Sequence, residues 1–140
     1  MLGYVFPARQ SRAALTLTPD RLPAPGDVAF VDDGKYQGNV AAVANLGRDG
    51  YVAWVPRCTH LGCRVGWRPD GPPVDGNRQY FECPCHQSRF ALDGDRIYGP
   101  APRNLDRYDS GFDDLGVFVI NTSAVIRGTI GQGVFFPGGE

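Results

Sequence analysis

The stretch CPCHQSRF, residues 83–90, places two cysteines and a histidine within four positions and then adds a serine. A second stretch upstream, CTHLGC at residues 58–63, has a similar make-up. The chain contains four cysteines and two histidines, and all six lie in these two boxes. Because a chance distribution over 140 positions would almost never concentrate them in this way, the two boxes predict a single shared site.

The overall composition limits the classes of function. A chain of 140 residues fits one domain with a hydrophobic core. Its net charge is −1 and no cluster of basic residues stands out, which argues against nucleic acid as a partner. No apolar run reaches the length of about eighteen residues that a membrane-spanning helix needs. We interpret residues 1–20 as a linker, either an ordinary flexible terminus or the remnant of a membrane anchor and hinge, and residues 21–140 as the folded domain.

The remaining sequence predicts an all-β fold. Glycine and proline number 19 and 12, and they divide the chain into short pieces. Runs rich in β-branched and aromatic residues lie between them and predict strands at 27–31, 39–46, 51–55, 79–83, 96–98, 116–120, 124–128 and 133–136. No stretch has helical periodicity over three turns. The predicted architecture is a small domain of stacked antiparallel sheets.

In each box, one of the two cysteines and the histidine can be taken together as metal donors. Cys58 with His60, and Cys83 with His86, could present two thiolates and two imidazoles to one centre. This donor set suits tetrahedral zinc, and it also suits a 2Fe–2S centre with two cysteines on one iron and two histidines on the other.

The two leftover cysteines bear on that choice. If the other four residues hold the metal, Cys63 and Cys85 could form a disulfide behind it and hold the two boxes together. On the loop-entropy estimate, a disulfide closing about twenty residues is worth roughly 3 kcal/mol. A structural zinc site does not need such a link, and its usual ligand spacing is absent here.

CTHLGC and CPCHQS resemble the two cluster-binding boxes of Rieske iron–sulfur proteins of the cytochrome bc and bf type. GPAP at residues 99–102 is similar to the proline loop that covers the cluster in that family. A looser likeness extends from about Pro25 to Asn121. The resemblance implies one Rieske-type 2Fe–2S cluster in a cluster-binding subdomain of about residues 56–104, formed by two loops and a proline loop.

The resemblance also assigns roles to individual residues. It implies that the cluster ligands are Cys58, His60, Cys83 and His86. It implies a disulfide between Cys63 and Cys85. The residues that cover the cluster would be Leu61, Gly99 and Pro100. His60 and His86 would lie nearest the surface, where they would contact quinol and accept its proton. This role predicts a midpoint potential that falls as the pH rises. Leu61 would belong to an apolar docking tip, the alternative being minor core packing.

Three further positions bear on the cluster. Ser88 matches a family serine whose hydroxyl donates a hydrogen bond to a bridging sulfide, which would raise the reduction potential. Phe90 stands where many high-potential relatives carry a hydrogen-bonding tyrosine. Phenylalanine cannot donate this hydrogen bond, which is worth about 1 kcal/mol. Its loss predicts a cluster reduction potential lower by roughly 40 mV. Gln87 stands where glycine is common, and it would be strained if that position has a positive φ.

These features predict the iron–sulfur subunit of a quinol-oxidising complex. Its partners would be a cytochrome b-type subunit, quinol, and a c-type cytochrome, plastocyanin or similar acceptor. The disulfide implies an extracytoplasmic domain, bacterial and membrane-anchored in its full-length form. One alternative is the Rieske subunit of another extracytoplasmic oxidoreductase, such as an arsenite-oxidase-type enzyme. A structural zinc module with the same ligands is the other.

Overall fold

The computed structural model describes residues 14–36, 38–131 and 133–135, with the backbone alone for residues 134 and 135. Residues 1–13, most of the predicted linker, lie outside this part of the chain. No helix in the described ranges is long and apolar enough to cross a bilayer.

The described residues form short strands joined by turns, which confirms the predicted all-β class. In chain order the strands are β1 (Ala14–Leu17), β2 (Val28–Asp32), β3 (Val40–Asn45), β4 (Tyr51–Trp54), β5 (Gly66–Arg68), β6 (Tyr80–Glu82), β7 (Arg89–Phe90), β8 (Arg96–Gly99), β9 (Arg107–Phe112), β10 (Phe118–Ile126) and β11 (Val134–Phe135). Two single 3₁₀ turns, Pro19–Arg21 and Gly47–Asp49, are the helical segments of the described chain.

The first compact unit comprises the chain up to Val55 together with Arg107–Ile126. Its sheet has the strand order β1-β10-β9-β4-β3-β2, and all neighbours are antiparallel. Every residue of β3 is buried. A hydrophobic core lies within this unit and consists of Leu15, Leu17, Ala41, Val43, Ala53, Tyr108, Phe118 and Ile120.

The second unit comprises Pro56–Asp106 together with the chain from Arg127. Its sheet has the order β11-β8-β7-β6-β5, in which β11 runs parallel to β8 and the other neighbours are antiparallel. The fully buried rings of Tyr80, Phe81 and Phe90 belong to this sheet. Both cysteine–histidine boxes and the proline loop lie in this unit, as do all the residues predicted to form the cluster-binding subdomain.

The structure differs from the strand predictions in several places, and β5, β7 and β9 were not predicted. Residues 14–17, which were assigned to the linker, form β1 and pair with β10, because alternate residues Leu15 and Leu17 are buried there. The strands predicted at 116–120 and 124–128 are a single strand, β10. Its pairing with β9 shifts register between Asn121 and Val125, where the sequence suggested a break.

Candidate metal centre

The two boxes adopt the same backbone turn. In the first loop (residues 58–63), the N–H of Cys58 donates to the carbonyl of Cys63 at 2.7 Å, and the N–H of Gly62 donates to the carbonyl of Cys58 at 2.8 Å. In the second loop (residues 83–88), the N–H of Cys83 donates to the carbonyl of Ser88 at 2.9 Å. The N–H of the fifth residue again donates to the carbonyl of the first, also at 2.9 Å. Each turn therefore holds its four inner residues at its tip.

The fifth residue of each turn has a left-handed backbone. Gly62 has φ +81° and Gln87 has φ +63°. Glycine adopts this conformation without strain, whereas the Cβ of glutamine crowds the backbone there. The condition for strain at Gln87, a positive φ, is therefore met.

A disulfide joins the two loops. Cys63, the last residue of the first loop, is bonded to Cys85 in the second, with the two Cα atoms 6.4 Å apart. This is the pairing that the resemblance implies. It links turns that are 22 residues apart in the sequence, so the residues at their two tips are held together.

The two cysteines outside the disulfide are buried thiols. Cys58 is 3% exposed and Cys83 is fully buried. Burial raises the pKa of the Cys58 thiol, and the neighbouring Cys83 acts in the same direction. The backbone N–H of His60 and the hydroxyl of Ser88 favour the thiolate by hydrogen bonding. Burial therefore disfavours a negative charge on the Cys58 sulfur, and these two hydrogen-bond donors partly offset that effect.

The two histidines lie side by side. Their ring centroids are 4.8 Å apart with an edge-to-face angle of 84°. Both residues are partly exposed, but the Nδ1 atoms of His60 and His86 are buried. Within the described residues, Nδ1 of His60 has no hydrogen-bond partner. Because a buried polar nitrogen without a partner is costly, this atom is suited to bind a group that the protein chain itself does not supply.

A third sulfur arrangement lies close by. The sulfur atoms of Cys63, Cys83 and Cys85 are all within 4.8 Å of one another. Cys63 and Cys85 are already joined by the disulfide, so this trio offers a metal only one free thiol. The pair of free thiols, Cys58 and Cys83, is the better donor set.

The proline loop (residues 99–102) is linked to both cluster loops. The N–H of Ala101 donates to Oγ of Ser88 at 3.0 Å, in a buried bond. Oγ1 of Thr59 donates to the carbonyl of Arg103, just after the loop, at 2.7 Å. Ser88 Oγ accepts from the proline loop, so its own proton is available to a sulfur. The predicted bond from Ser88 to a bridging sulfide stays a prediction, and the sulfur it contacts here is that of Cys58.

Gly99 is required where the proline loop begins. Its φ is +99°, and a Cβ there would lie 2.5 Å from Cα of Ser88. Pro100, which follows, is fully buried, and so is Ala101. The proline loop therefore packs directly on the backbone of the second loop.

An ionic network that the sequence analysis missed supports the base of the second loop. Glu82 accepts from Arg68 and Arg89, both at 2.9 Å. Burial alone would raise the pKa of Glu82, but the hydrogen bonds from the two arginines hold it below its usual value. The guanidinium carbon of Arg89 also lies 5.2 Å from the ring centroid of Tyr80 and 5.0 Å from that of Tyr98. The sequence did contain a signal for this network, since Glu82 and Arg89 place opposite charges immediately before and after the second box.

Leu61 lies at the tip of the first loop and is 67% exposed, which excludes the alternative of core packing. Phe90 is fully buried and pairs with Phe81 across β6 and β7. The two buried thiols and two inward-facing imidazole nitrogens form a donor set that fits a 2Fe–2S cluster of the Rieske kind.

Comparisons with known proteins indicate the same kind of cluster. Residues 19–109 match the model of the Rieske [2Fe-2S] domain. The chain is 36% identical to a cytochrome b6-f complex iron-sulfur subunit of Chlorobaculum thiosulfatiphilum over 67% of this chain and 50% of the relative. It is 41% identical to a menaquinol:cytochrome c reductase iron-sulfur subunit of Geobacillus thermodenitrificans, over 41% of this chain and 32% of that one.

A solved structure supports the same fold. A chain of a hyperthermophilic respiratory complex III aligns with a TM-score of 0.53 and 26% identity, covering 73% of this chain and 71% of that one. This chain spans half the length of the Chlorobaculum relative. The predicted cofactor, one Rieske-type 2Fe–2S cluster, is confirmed by the family match. Fold, donor set and sequence match agree, and the chain belongs to the Rieske [2Fe-2S] domain family.

Proposed function

We propose that this chain is the electron-carrying domain of the iron–sulfur subunit of a quinol-oxidising complex of the cytochrome bc or bf type. It takes one electron from quinol and passes it to a c-type cytochrome, plastocyanin or a similar acceptor. One observation carries the proposal. The paired histidines are partly exposed, as is Leu61 next to His60 in the sequence, while the two free thiols of the same loops are buried.

In this proposal Cys58, Cys83, His60 and His86 hold the cluster, the thiols through sulfur and the imidazoles through their buried Nδ1 atoms. When bound, the cluster supplies a one-electron acceptor of Rieske type. Hydrogen bonds from the backbone N–H of His60 and from Ser88 stabilise the negative charge at Cys58. Gly99 and Pro100 cover the site and exclude water.

The protein residues handle the proton. An imidazole that binds through Nδ1 would present its Nε2 to a quinol hydroxyl as the hydrogen-bond acceptor. As the electron leaves the quinol, its hydroxyl proton moves to this nitrogen. Added negative charge next to an imidazole favours the protonated form, so electron and proton uptake are linked. The measurable consequence is a midpoint potential that falls with rising pH, by up to about 60 mV per pH unit for one proton per electron. A potential independent of pH in voltammetry of the holoprotein would contradict this role for the histidines.

The proposed assembly includes a cytochrome b-type subunit and a membrane anchor outside the described residues. The disulfide favours the extracytoplasmic face of the membrane, because such bonds persist in oxidising compartments. The Rieske subunit of an arsenite-oxidase-type enzyme has no observation here that favours it.

The test measures quinol oxidation by the assembled complex in membranes from the source organism, after deletion of the gene and complementation with variants. We expect Leu61→Ala to slow quinol:cytochrome c reduction about ten- to hundredfold, because misplaced docking separates the reacting groups. The cluster, followed by electron paramagnetic resonance, should remain. Leu115→Ala is the matched control, since Leu115 is 80% exposed in a turn of the first unit.

Two results would oppose the proposal. One is a quinol oxidation rate that does not change on deletion of the gene. The other is an equal effect of Leu61→Ala and Leu115→Ala, which would show that the tip has no part in docking.

A further inference from the structure

Two arginines flank the first loop, and no acidic residue in the described part of the chain forms an ion pair with either of them. Arg57 and Arg64 lie immediately before and after the loop and pair with each other in an isolated antiparallel bridge. Both side chains are exposed, and neither makes an ion pair within the described residues. Between Asp49 and Asp70 the sequence has three arginines and no acidic residue. The arginine pair is therefore a local concentration of positive charge on a chain whose net charge is −1.

This arrangement is unfavourable for folding. Like charges directly opposite each other on antiparallel strands repel and destabilise the pair. The equivalent positions of the second loop hold Glu82 and Arg89, which form an ion pair at 2.9 Å. The same backbone position can thus hold a neutral pair, and the first loop holds two cations.

One of the two cations contacts the tip of the first loop, which in the proposed function is the part that electron partners approach. The guanidinium Nη1 of Arg57 donates to the carbonyl of Gly62 at 3.2 Å. This bond fixes the cation beside Leu61, which is 67% exposed. Several other arginines of the same unit have a carboxylate partner, since Arg68 and Arg89 share Glu82 and Arg103 pairs with Asp106.

We propose that Arg57 and Arg64 form a cationic collar around the Leu61 tip, and that this collar steers the docking of an electron-acceptor protein with a carboxylate-rich face. Transient electron-transfer complexes have small interfaces and gain speed from charge complementarity. A cleft or tip of one charge sign raises the association rate of an oppositely charged partner about ten- to a thousandfold at low salt. The proposal rests on the proposed function in that electrons leave through this tip.

The test uses the reduced holoprotein and two small oxidants of opposite charge. Ferricyanide carries three negative charges and tris(phenanthroline)cobalt(III) carries three positive charges, and each takes one electron from the reduced cluster. Stopped-flow rates are measured from about 10 mM to about 500 mM salt. For the pair R57Q/R64Q we expect the ferricyanide rate at low salt to fall about three- to fivefold for each arginine removed, and the cobalt rate to rise. At high salt the rates should converge with those of the wild type.

Three comparisons isolate the collar. R57K/R64K keeps the charge and should retain the wild-type salt dependence. R127Q removes an exposed arginine outside both cluster loops and should have little effect. Polyglutamate, an acidic peptide probe, should slow ferricyanide oxidation of the wild type but not of R57Q/R64Q.

The proposal is overturned if R57Q/R64Q and R127Q give the same rates. A rate lowered equally at every salt concentration would also overturn it, since that indicates a disturbed cluster. Binding of the wild type to phosphatidylglycerol vesicles that is lost in R57Q/R64Q would assign the collar to a membrane surface instead. These measurements need no quinol. The collar proposal can therefore be contradicted while the proposed quinol oxidation holds, and quinol oxidation can be contradicted while the collar proposal holds.

Discussion

The two cluster loops have one backbone design and two different sets of side chains. Both turns close with the same pair of hydrogen bonds, and both have a left-handed fifth residue. That residue is Gly62 in the first loop and Gln87 in the second. The flanking residues are two arginines in one case and an ion pair in the other. The comparison teaches that the backbone bonds determine the shape of the turn, while the side chains determine its stability and its charge.

The disulfide is the strongest link between the loops, so removing it should have the largest effect. We expect C63A/C85A to lose about 3 kcal/mol of unfolding free energy, since the closure of a 22-residue separation is no longer built into the unfolded chain. The loops should also separate and release the cluster. Urea unfolding and the visible absorption of the holoprotein measure the two effects. If the variant holoprotein keeps its visible absorption and its urea midpoint, each loop holds its shape without the disulfide.

The ion pair at the base of the second loop should have the next largest effect. Glu82→Ala removes the partner of both Arg68 and Arg89, and the side chain of Arg89 is only 17% exposed. We expect a loss of about 2 kcal/mol, because hydrogen bonds to charged groups are worth more than neutral ones. Asp70→Ala breaks the exposed pair with Arg78 and serves as the control, with an expected loss well below 1 kcal/mol. Equal losses would show that the base of the second loop gains nothing from its buried position.

Substitution of the glycine in the first loop should cost less. A Cβ on Gly62 would meet nothing within 4 Å, so Gly62→Ala introduces backbone strain and no collision. We expect a loss of about 1 kcal/mol from placing alanine at φ +81°. Thermal and urea unfolding measure it. A neutral result would mean that the first loop relaxes away from the left-handed conformation.

The reverse substitution in the second loop should have the smallest effect and the opposite sign. Gln87→Gly relieves strain at φ +63° but gives the unfolded chain more freedom, so we expect a net gain of about 0.5 kcal/mol. The same unfolding measurements compare it with Gly62→Ala. Destabilisation by Gln87→Gly would show that the glutamine side chain makes a contact that offsets its strain.

Much of the fold could be predicted from the sequence, and the misses have physical causes. Strands with continuous apolar runs, such as β3 and β4, were found close to their observed bounds. Strands β5 and β7 have only three and two residues, too few to show a period. The strand β9 carries polar residues and a glycine, and it forms because it lies between β4 and β10 in the sheet. Pairing partners of this kind are tertiary information.

The candidate donors could be proposed from the concentration of cysteine and histidine in two boxes, but the residues that support them could not. Cysteine and histidine are rare in this chain, so their concentration was informative. Thr59, by contrast, bonds to a carbonyl 44 residues away, and the guanidinium of Arg89 contacts two tyrosine rings from different strands. Threonine, arginine and tyrosine are common residues with many uses, and only the folded sheet shows which of them meet.

The sulfur trio of Cys63, Cys83 and Cys85 has a consequence for assembly. With all three sulfur atoms within 4.8 Å of one another, the Cys83 sulfur lies close to the disulfide. A free thiolate at that distance can attack the bond and shuffle it. Iron bound to Cys83 would occupy that sulfur and would prevent the attack. Maturation in which metal insertion comes before oxidation would therefore give one pairing of the four cysteines, whereas the opposite order would give a mixture.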